Sequence, residues 1–473
     1  LGYTNVYAPI LDLARDPRWG RTVESMGEDP FLVAELGVQV AQAIQKQGVI
    51  STPKHFAVYS TPVGGRDGEV RTDPHITWRE MHNINLYPFE QVFLRAHAHG
   101  VMSSYNDYDG IPVTGSHYFL TELLRNKYKF KGYVTSDSDA VEFLLTKHKV
   151  AKDYKDAIRQ CVVAGLNIRT TFTAPEVYIQ PLRELISEGT LSMDVVDQRV
   201  REILWVKFFV GLFDHPFVNN PAAADTIIRS RRHLEISRKA SYESLVLLKN
   251  EGNLLPLDEG KYKSILVVGD NAKDISYAMS RYGPNNVKIC SVLDGIKKKT
   301  DSTTVVTYAK GCSIQPENML ELELFYTPPG ISEKALIDNA VELAKESDIA
   351  VIVLGDNPET VGESKSRTSL NLSGYQEELM RKIHDTGIPL VLILINGRPV
   401  TINWADKYIP AILEAWFPGE YGGEAIADAL FGHYNPGGKL PVTFPRTVGQ
   451  IPFTFPHKPS SHAGQGNGRS RVT

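Results

Sequence analysis

The sequence predicts an α/β protein of two successive domains, the first of barrel type and the second a doubly wound sheet. Residues 1–214 alternate short apolar strands with amphipathic helices, the pattern of a parallel sheet. The same alternation restarts over residues 230–445, after a proline-containing stretch. The chain has 473 residues, too many for one ordinary hydrophobic core.

In the first domain the strand candidates are Val6–Ile10, Val49–Thr52, Gly100–Tyr105, Tyr133–Thr135 and Gly165–Ile168. Helical patterns lie between them at Asp29–Gln47, Arg79–His97 and Asp153–Ala164. A closed barrel needs eight strands. Either the N-terminal strands are missing from this sequence or the barrel is incomplete. Residues 215–229 read as a linker, rich at its start in proline and polar residues. In the second domain a helix, His233–Leu245, leads into Leu247–Lys249. Strands follow at Ser264–Gly269, Thr304–Tyr308, Ile349–Gly355, Leu390–Ile395 and Ala411–Trp416, with helices Ser332–Glu346 and Gly374–His384 between them. Residues 446–473 read as a tail, rich in Ser, Gly and Arg from Lys458 on.

Composition excludes several classes. Apolar content of 42% and charged content of 22% are those of a globular protein. The net charge of −4, from 51 basic and 55 acidic residues well mixed, leaves no basic footprint for nucleic acid. The longest apolar runs, such as Pro389–Ile395, are too short for membrane insertion. The three cysteines, Cys161, Cys290 and Cys312, show neither a disulfide framework nor metal-ligand spacing.

Polar residues gather where the first domain's strands end: Arg15 to Arg21 after the first, Lys54-His55 after the second, Ser103 to Asn106 after the third, and Asp137 with Asp139 after the fourth. Arg66 lies in a glycine-containing loop beyond His55. Each has a structural explanation when taken singly. An Asp at a strand–helix junction caps helices well, and an arginine beside acids is usually a surface pair of little worth. Together they ring the C-terminal ends of the strands, the face where barrels of this kind place their chemistry. Lys, Arg and His suit a polyhydroxylated ligand as hydrogen-bond donors, and Trp19 and Tyr105 offer flat apolar faces to a sugar ring. The Gly64-Gly65 pair lacks the Lys-Ser/Thr ending of a phosphate cradle. Glycoside hydrolysis needs a second carboxylate. The second domain offers Glu363 in Gly362–Arg367, a loop that follows strand Ile349–Gly355 at the sheet end where ligands bind.

These motifs resemble glycoside hydrolase family 3, the β-glucosidase and β-xylosidase type. The resemblance rests on Asp16–Arg21 (DPRWGR), Gly27–Pro30 (GEDP), Lys54–Phe56 (KHF), Met102–Asn106 (MSSYN), Ser136-Asp137, Ser244–Asn250 (SLVLLKN) and Gly432–Pro441 (GHYNPGGKLP), in the family's order along nearly the whole chain. It implies a (β/α)8-type barrel followed by an α/β sandwich, with the active site between them. It makes Asp137 the nucleophile, Arg21, Lys54, His55, Arg66 and Tyr105 sugar ligands, and Glu363 the proton donor, with Glu359 in reserve. The family's donor loop commonly reads Glu-x-x-Asp-Arg, whereas Ser366 stands here in place of the Asp. Ser373 replaces a usual Pro, Asn167 a common barrel-strand Asp, and Ser138 the Trp or Cys that often follows the nucleophile. The Gly-His signature of the family's β-N-acetylglucosaminidases is absent. The tail from 446 leads towards the position of a fibronectin-like domain in members that have one.

The resemblance implies a retaining exo-acting β-glucosidase, its two carboxyls about 5–5.5 Å apart. It needs no metal or organic cofactor and takes an oligosaccharide or β-glucoside as substrate. Lys54 and Arg21, if close, are expected to keep Asp137 ionised. Alternatives are a β-xylosidase and a carbohydrate-binding protein with impaired catalysis. A periplasmic or secreted location follows from the resemblance alone, and homodimerisation is left open.

Overall fold

Apolar runs of β-branched residues and leucine form the strands of both halves, but the two halves bury them differently. The computed structural model describes residues 2–61, 73–278, 287–317 and 325–455. Arg66 and the tail from Lys458 lie outside the described residues. Two compact units divide at Ala224/Asp225, and the stretch read as a linker contains a short helix, Ala223–Ile227.

In the first unit, β1 (Asn5–Val6) pairs in parallel with β2 (Ile50–Ser51). The backbone beyond β2 continues the ladder onto β3 (Gly100–Ser103) through Met102 N–H to Pro53 O and Phe56 N–H to Met102 O. A hairpin follows, β4 (Asp107–Tyr108) against β5 (Ile111–Pro112). β3 then pairs in parallel with β6 (Tyr133–Ser136), and Thr135 bridges in parallel to Ile168. Apart from the β4–β5 hairpin, each strand thus lies beside the one before it, as in a barrel wall. The α/β core gathers Leu11, Val33, Phe89, Val92, Val101, Val134, Leu144 and Ile158. Gly132 opens β6 because a Cβ there would meet the His99 carbonyl at 1.8 Å.

The helix Pro30–Lys46 is N-capped by Asp29, whose carboxylate accepts from Phe31 N–H. Asp153 caps Tyr154–Ala164 in the same way through Asp156 N–H. The expected helix Arg79–His97 is a helical run from Trp78 to Ala96 interrupted by wider turns at Met81–Asn85 and Val92–Ala96. Pro88 lacks a backbone donor, so the hydrogen-bond ladder shifts around it.

The second unit is a six-stranded mixed sheet. Its strands are β7 (Val246–Asn250), β8 (Ser264–Val268), β9 (Val305–Ala309), β10 (Ile349–Gly355), β11 (Leu390–Ile395) and β12 (Ala411–Glu414). Their spatial order is β7-β12-β11-β10-β8-β9, all parallel except β7, which runs antiparallel at the edge. Alternate residues of β10 and β11 enter opposite cores: Val351, Val353, Ile393 and Ile395 on one face, Ile352, Leu354, Leu392 and Leu394 on the other. Helices Val292–Lys299 and Gly422–Leu430 supply the first face, Ile331–Lys345 and Gln376–His384 the second. Burial on both faces is why these strands read as unbroken apolar runs.

Candidate active site

Asp137 sits one residue past the end of β6, with its backbone fixed on both sides. Its N–H donates to Ser103 O on β3, and its carbonyl accepts from Ala140 N–H. The side chain caps no helix. Oδ1 accepts from Ser138 N–H at 2.8 Å, while the buried Oδ2 has no hydrogen-bond partner among the described residues. Asp139 does not cap Ala140–Thr146 either; its Oδ1 accepts from the Thr171 hydroxyl. The strand end therefore presents one carboxylate oxygen, in a residue 8% exposed, to what surrounds it.

His55 faces that oxygen, with Nε2 3.6 Å from Asp137 Oδ2. Its orientation comes from Asp12, whose Oδ2 lies 2.7 Å from His55 Nδ1 and also accepts the His55 backbone N–H. The Lys54–His55 and Phe56–Ala57 peptide bonds are cis. Arg21 is buried and gives a two-pronged contact to Glu24, Nε to Oε1 and Nη2 to Oε2, each 2.8 Å. Its guanidinium lies 5.7 Å from the centroid of the Tyr59 ring. Tyr59 in turn packs edge-on against Trp19 and tilted against Tyr105. Trp19 is fully buried in this cluster. It does not offer the open face expected of it.

Burial dominates the electrostatics. It pushes the Asp137 carboxyl above its ordinary value, against the Ser138 N–H, the Tyr105 hydroxyl, Arg21 and Lys54, which all favour the ionised form. Arg21 and Lys54, the cations expected to favour ionised Asp137, thus act in that direction against burial. Burial and Arg21 lower the Lys54 ammonium, while Asp137, Glu24 and Asp12 oppose that. Burial, Arg21 and Lys54 press His55 well below its ordinary value, which favours the neutral imidazole. Burial also pushes Asp12 up to about 7, although Arg21 pulls it down.

The first unit therefore brings Arg21, Lys54, His55 and Tyr105 into the electrostatic surroundings of Asp137. Sequence reasoning missed Asp12, Glu24 and Tyr59. A signal existed for Asp12, a lone carboxylate inside the apolar run Ile10-Leu11-Asp12-Leu13. Asn167 stands apart from this group. Its amide oxygen accepts from Arg125 and Val134 N–H while its nitrogen donates to Arg199 O and Glu202, so it ties strand to helix. A carboxylate could not make both kinds of bond.

In the second unit, Glu363 lies in the loop that leaves β10, 8% exposed and flanked by positive φ at Gly362 (+122°) and Ser364 (+63°). Glu359, the reserve, is an exposed side chain paired with Lys365 at 3.1 Å. Beneath the loop, the ends of β10 and β11 bury Asp356 and Arg398. Among the described residues no cluster of His, Cys, Asp and Glu is arranged to hold a metal ion.

Comparison with known proteins matches residues 1–206 to the glycosyl hydrolase family 3 N-terminal domain and residues 245–470 to the C-terminal domain of that family. A β-xylosidase of Formosa agariphila is 35% identical over 100% of this chain and 65% of its own length. The periplasmic β-glucosidase of Salmonella typhimurium is 36% identical over 96% of this chain and 60% of its own. The chain therefore spans less than two thirds of these relatives. Among solved structures, a β-glucosidase of Erythrobacter marinus superposes with a TM-score of 0.87 at 35% identity, covering 97% of this chain and 62% of its own. The β-glucosidase of Listeria innocua gives 0.86 at 30% identity, covering 100% and 63%.

Proposed function

The chain belongs to glycosyl hydrolase family 3, and on that premise we propose that it is a retaining, exo-acting β-glucosidase. It would remove terminal non-reducing β-D-glucosyl residues from oligosaccharides and other β-glucosides. The observation that carries this reading is the buried Asp137 carboxylate at the end of β6, its Oδ2 without a hydrogen-bond donor among the described residues, with Lys54, Arg21, His55 and Tyr105 around it. A carboxylate oxygen left without a donor is suited to bond to carbon.

In this reading Asp137 Oδ2 attacks the anomeric carbon as the bond to the glycosidic oxygen breaks. Glu363 gives its proton to that departing oxygen. A covalent glycosyl-enzyme results, with the leaving alcohol neutral. Glu363, now a carboxylate, takes a proton from water, whose oxygen attacks the same carbon and releases Asp137. Two inversions return the sugar with its original β configuration. Tyr105 and the Ser138 N–H hold the Asp137 carboxylate before attack. Asp12 fixes the His55 ring, so that Nε2 serves the sugar-facing side. Arg21 and Lys54 are assigned to sugar hydroxyls, and Arg66 remains a proposed ligand from the sequence.

A β-xylosidase is the second reading, favoured by the Formosa relative of that name, which matches the whole chain. A periplasmic or secreted location is supported by the Salmonella relative's name. The test is a panel of aryl β-glycosides with the full-length protein, with the first-formed sugar anomer followed by proton NMR. Hydrolysis of the glucoside with β-glucose formed first supports the proposal. A preference for the xyloside moves the substrate to the second reading. The α-anomer appearing first contradicts a retaining mechanism.

A further inference from the structure

Arg398 follows β11 in the sequence Asn396-Gly397-Arg398-Pro399, and it is 0% exposed. A buried guanidinium is costly unless its charge and its donors are answered. One nitrogen of Arg398, Nη2, donates to two backbone carbonyls, Thr360 O at 3.0 Å and Lys365 O at 2.9 Å. These carbonyls stand on either side of Gly362-Glu363-Ser364. A single side chain from the neighbouring strand therefore bridges both arms of the loop that carries Glu363.

Asp356 answers the charge from below. Its Oδ2 lies 3.9 Å from Arg398 Nε and accepts from Gly397 N–H. Its Oδ1 accepts from the Thr360 hydroxyl at 2.9 Å and lies 3.8 Å from Arg367. The Asp356 backbone is locked to β11, N–H to Ile395 O. The loop's stem, its far arm and the turn after β11 thus meet on one buried ion pair.

That bracing has a local reason. Ser364 holds φ of +63°, a left-handed region that strains a non-glycine residue. Gly362, at +122°, is at home in its conformation only because it has no side chain. A loop with such a turn on each side of Glu363 relaxes to commoner backbone angles unless its two arms are tied.

We infer that Arg398 is a positioning residue for the reaction: it fixes the Glu363 carboxyl by bridging Thr360 O and Lys365 O, with Asp356 as its buried counter-charge. This rests on the assignment of Glu363 as proton donor. Arg398 touches no substrate in this account; it acts through the loop. A lysine keeps the charge but has no second nitrogen to face Asp356 while its terminal nitrogen holds both carbonyls.

The experiment compares glucosides with good and poor leaving groups, because only a poor one needs the proton. Arg398→Lys, Glu363→Ala and the charge-balanced double variant Arg398→Met/Asp356→Asn are measured with 2,4-dinitrophenyl and phenyl β-glucosides, with melting curves to establish folding. The double variant covers the case in which Arg398→Lys does not fold. The expected result for the Arg398 variants is a kcat/KM loss of about 10- to 100-fold on the phenyl substrate, the scale of an ångström-sized misplacement. The loss on the dinitrophenyl substrate stays within about 3-fold, since that leaving group departs unprotonated. Glu363→Ala shows the same kcat/KM pattern more strongly, and its kcat on the dinitrophenyl substrate, limited by the second step that needs the base, rises with azide. If Glu363→Ala shows the pattern and the Arg398 variants lose both substrates equally or neither, the positioning role is overturned. If Glu363→Ala lacks the pattern, the proton-donor assignment falls, and the role of Arg398 falls with it.

Discussion

Asp137 ends a β-strand, whereas Glu363 rides in the middle of a loop, and the two carboxyls are fixed by different means. Asp137 needs little help, because β3 and the helix Ala140–Thr146 hold its backbone directly. What surrounds it is polar: two cations, a histidine oriented by Asp12, and a tyrosine hydroxyl. Glu363 lies eight residues past the end of β10, too far for the strand to fix its backbone directly. Its loop is held by side chains reaching from β11 and from the end of β10. A strand end supplies geometry through the sheet, so its neighbours are available to tune protonation. A loop must borrow its geometry, so its buried charges are spent on shape.

The sharpest way to break this comparison is to remove each carboxyl. Asp137→Asn is expected to lower kcat by at least about 10⁴-fold with every leaving group, as for a nucleophile acting in concert with its neighbours. Steady-state kinetics on both aryl glucosides checks this. Glu363→Ala is expected to cost about 10²- to 10⁴-fold on the phenyl substrate, the usual range for a general acid. Equal losses in the two variants on every substrate would erase the distinction between the two regions.

The next prediction concerns the electrostatics of the strand end. Tyr105→Phe removes a hydrogen bond that favours ionised Asp137, so the acid limb of kcat/KM moves to higher pH. A loss of about 10-fold or more is expected, since hydrogen bonds to charged groups are worth about 1.5–3 kcal/mol. The pH profile separates this from simple loss of packing, which lowers the curve without moving it.

Asp12 gives a stability test in the same region. Its carboxyl is raised from 3.8 to about 7 in the folded protein, chiefly by burial. The contribution of the neutral acid is fully present below about pH 4 and declines as pH rises towards 7. Asp12→Asn is expected to flatten that decline in melting temperature between pH 4 and 7. An unchanged slope would contradict the burial account. The smallest effect belongs to Glu359→Gln, which breaks only an exposed pair with Lys365. Its stability change should stay within about 0.5 kcal/mol, and kcat/KM within about twofold.

Much of this was legible in the sequence, for physical reasons that differ by element. β10 and β11 are buried on both faces, so their apolar runs gave boundaries that the structure reproduces at Ile349–Gly355 and Leu390–Ile395. Asp29 and Asp153 announced helix starts by capping chemistry. The hairpin β4–β5 was overlooked although Asp109-Gly110, both at positive φ, is a strong turn signal. The antiparallel direction of β7 was not legible, because its half-buried pattern is the same in either direction. At the candidate site, the groups on strand ends could be named from their motifs. Arg398 could not, because its role depends on contacts with residues 33 and 38 positions away.

The most direct test of the central claim is to trap the full-length protein with a 2-fluoro-β-glucosyl inhibitor and map the labelled peptide by mass spectrometry. A covalent 2-fluoroglucosyl group on Asp137 is the predicted result, and it establishes the nucleophile and acceptance of glucose together. A label on another carboxylate, or folded protein that hydrolyses β-glucosides yet takes no label, would contradict the assignment of Asp137 on which the comparison rests.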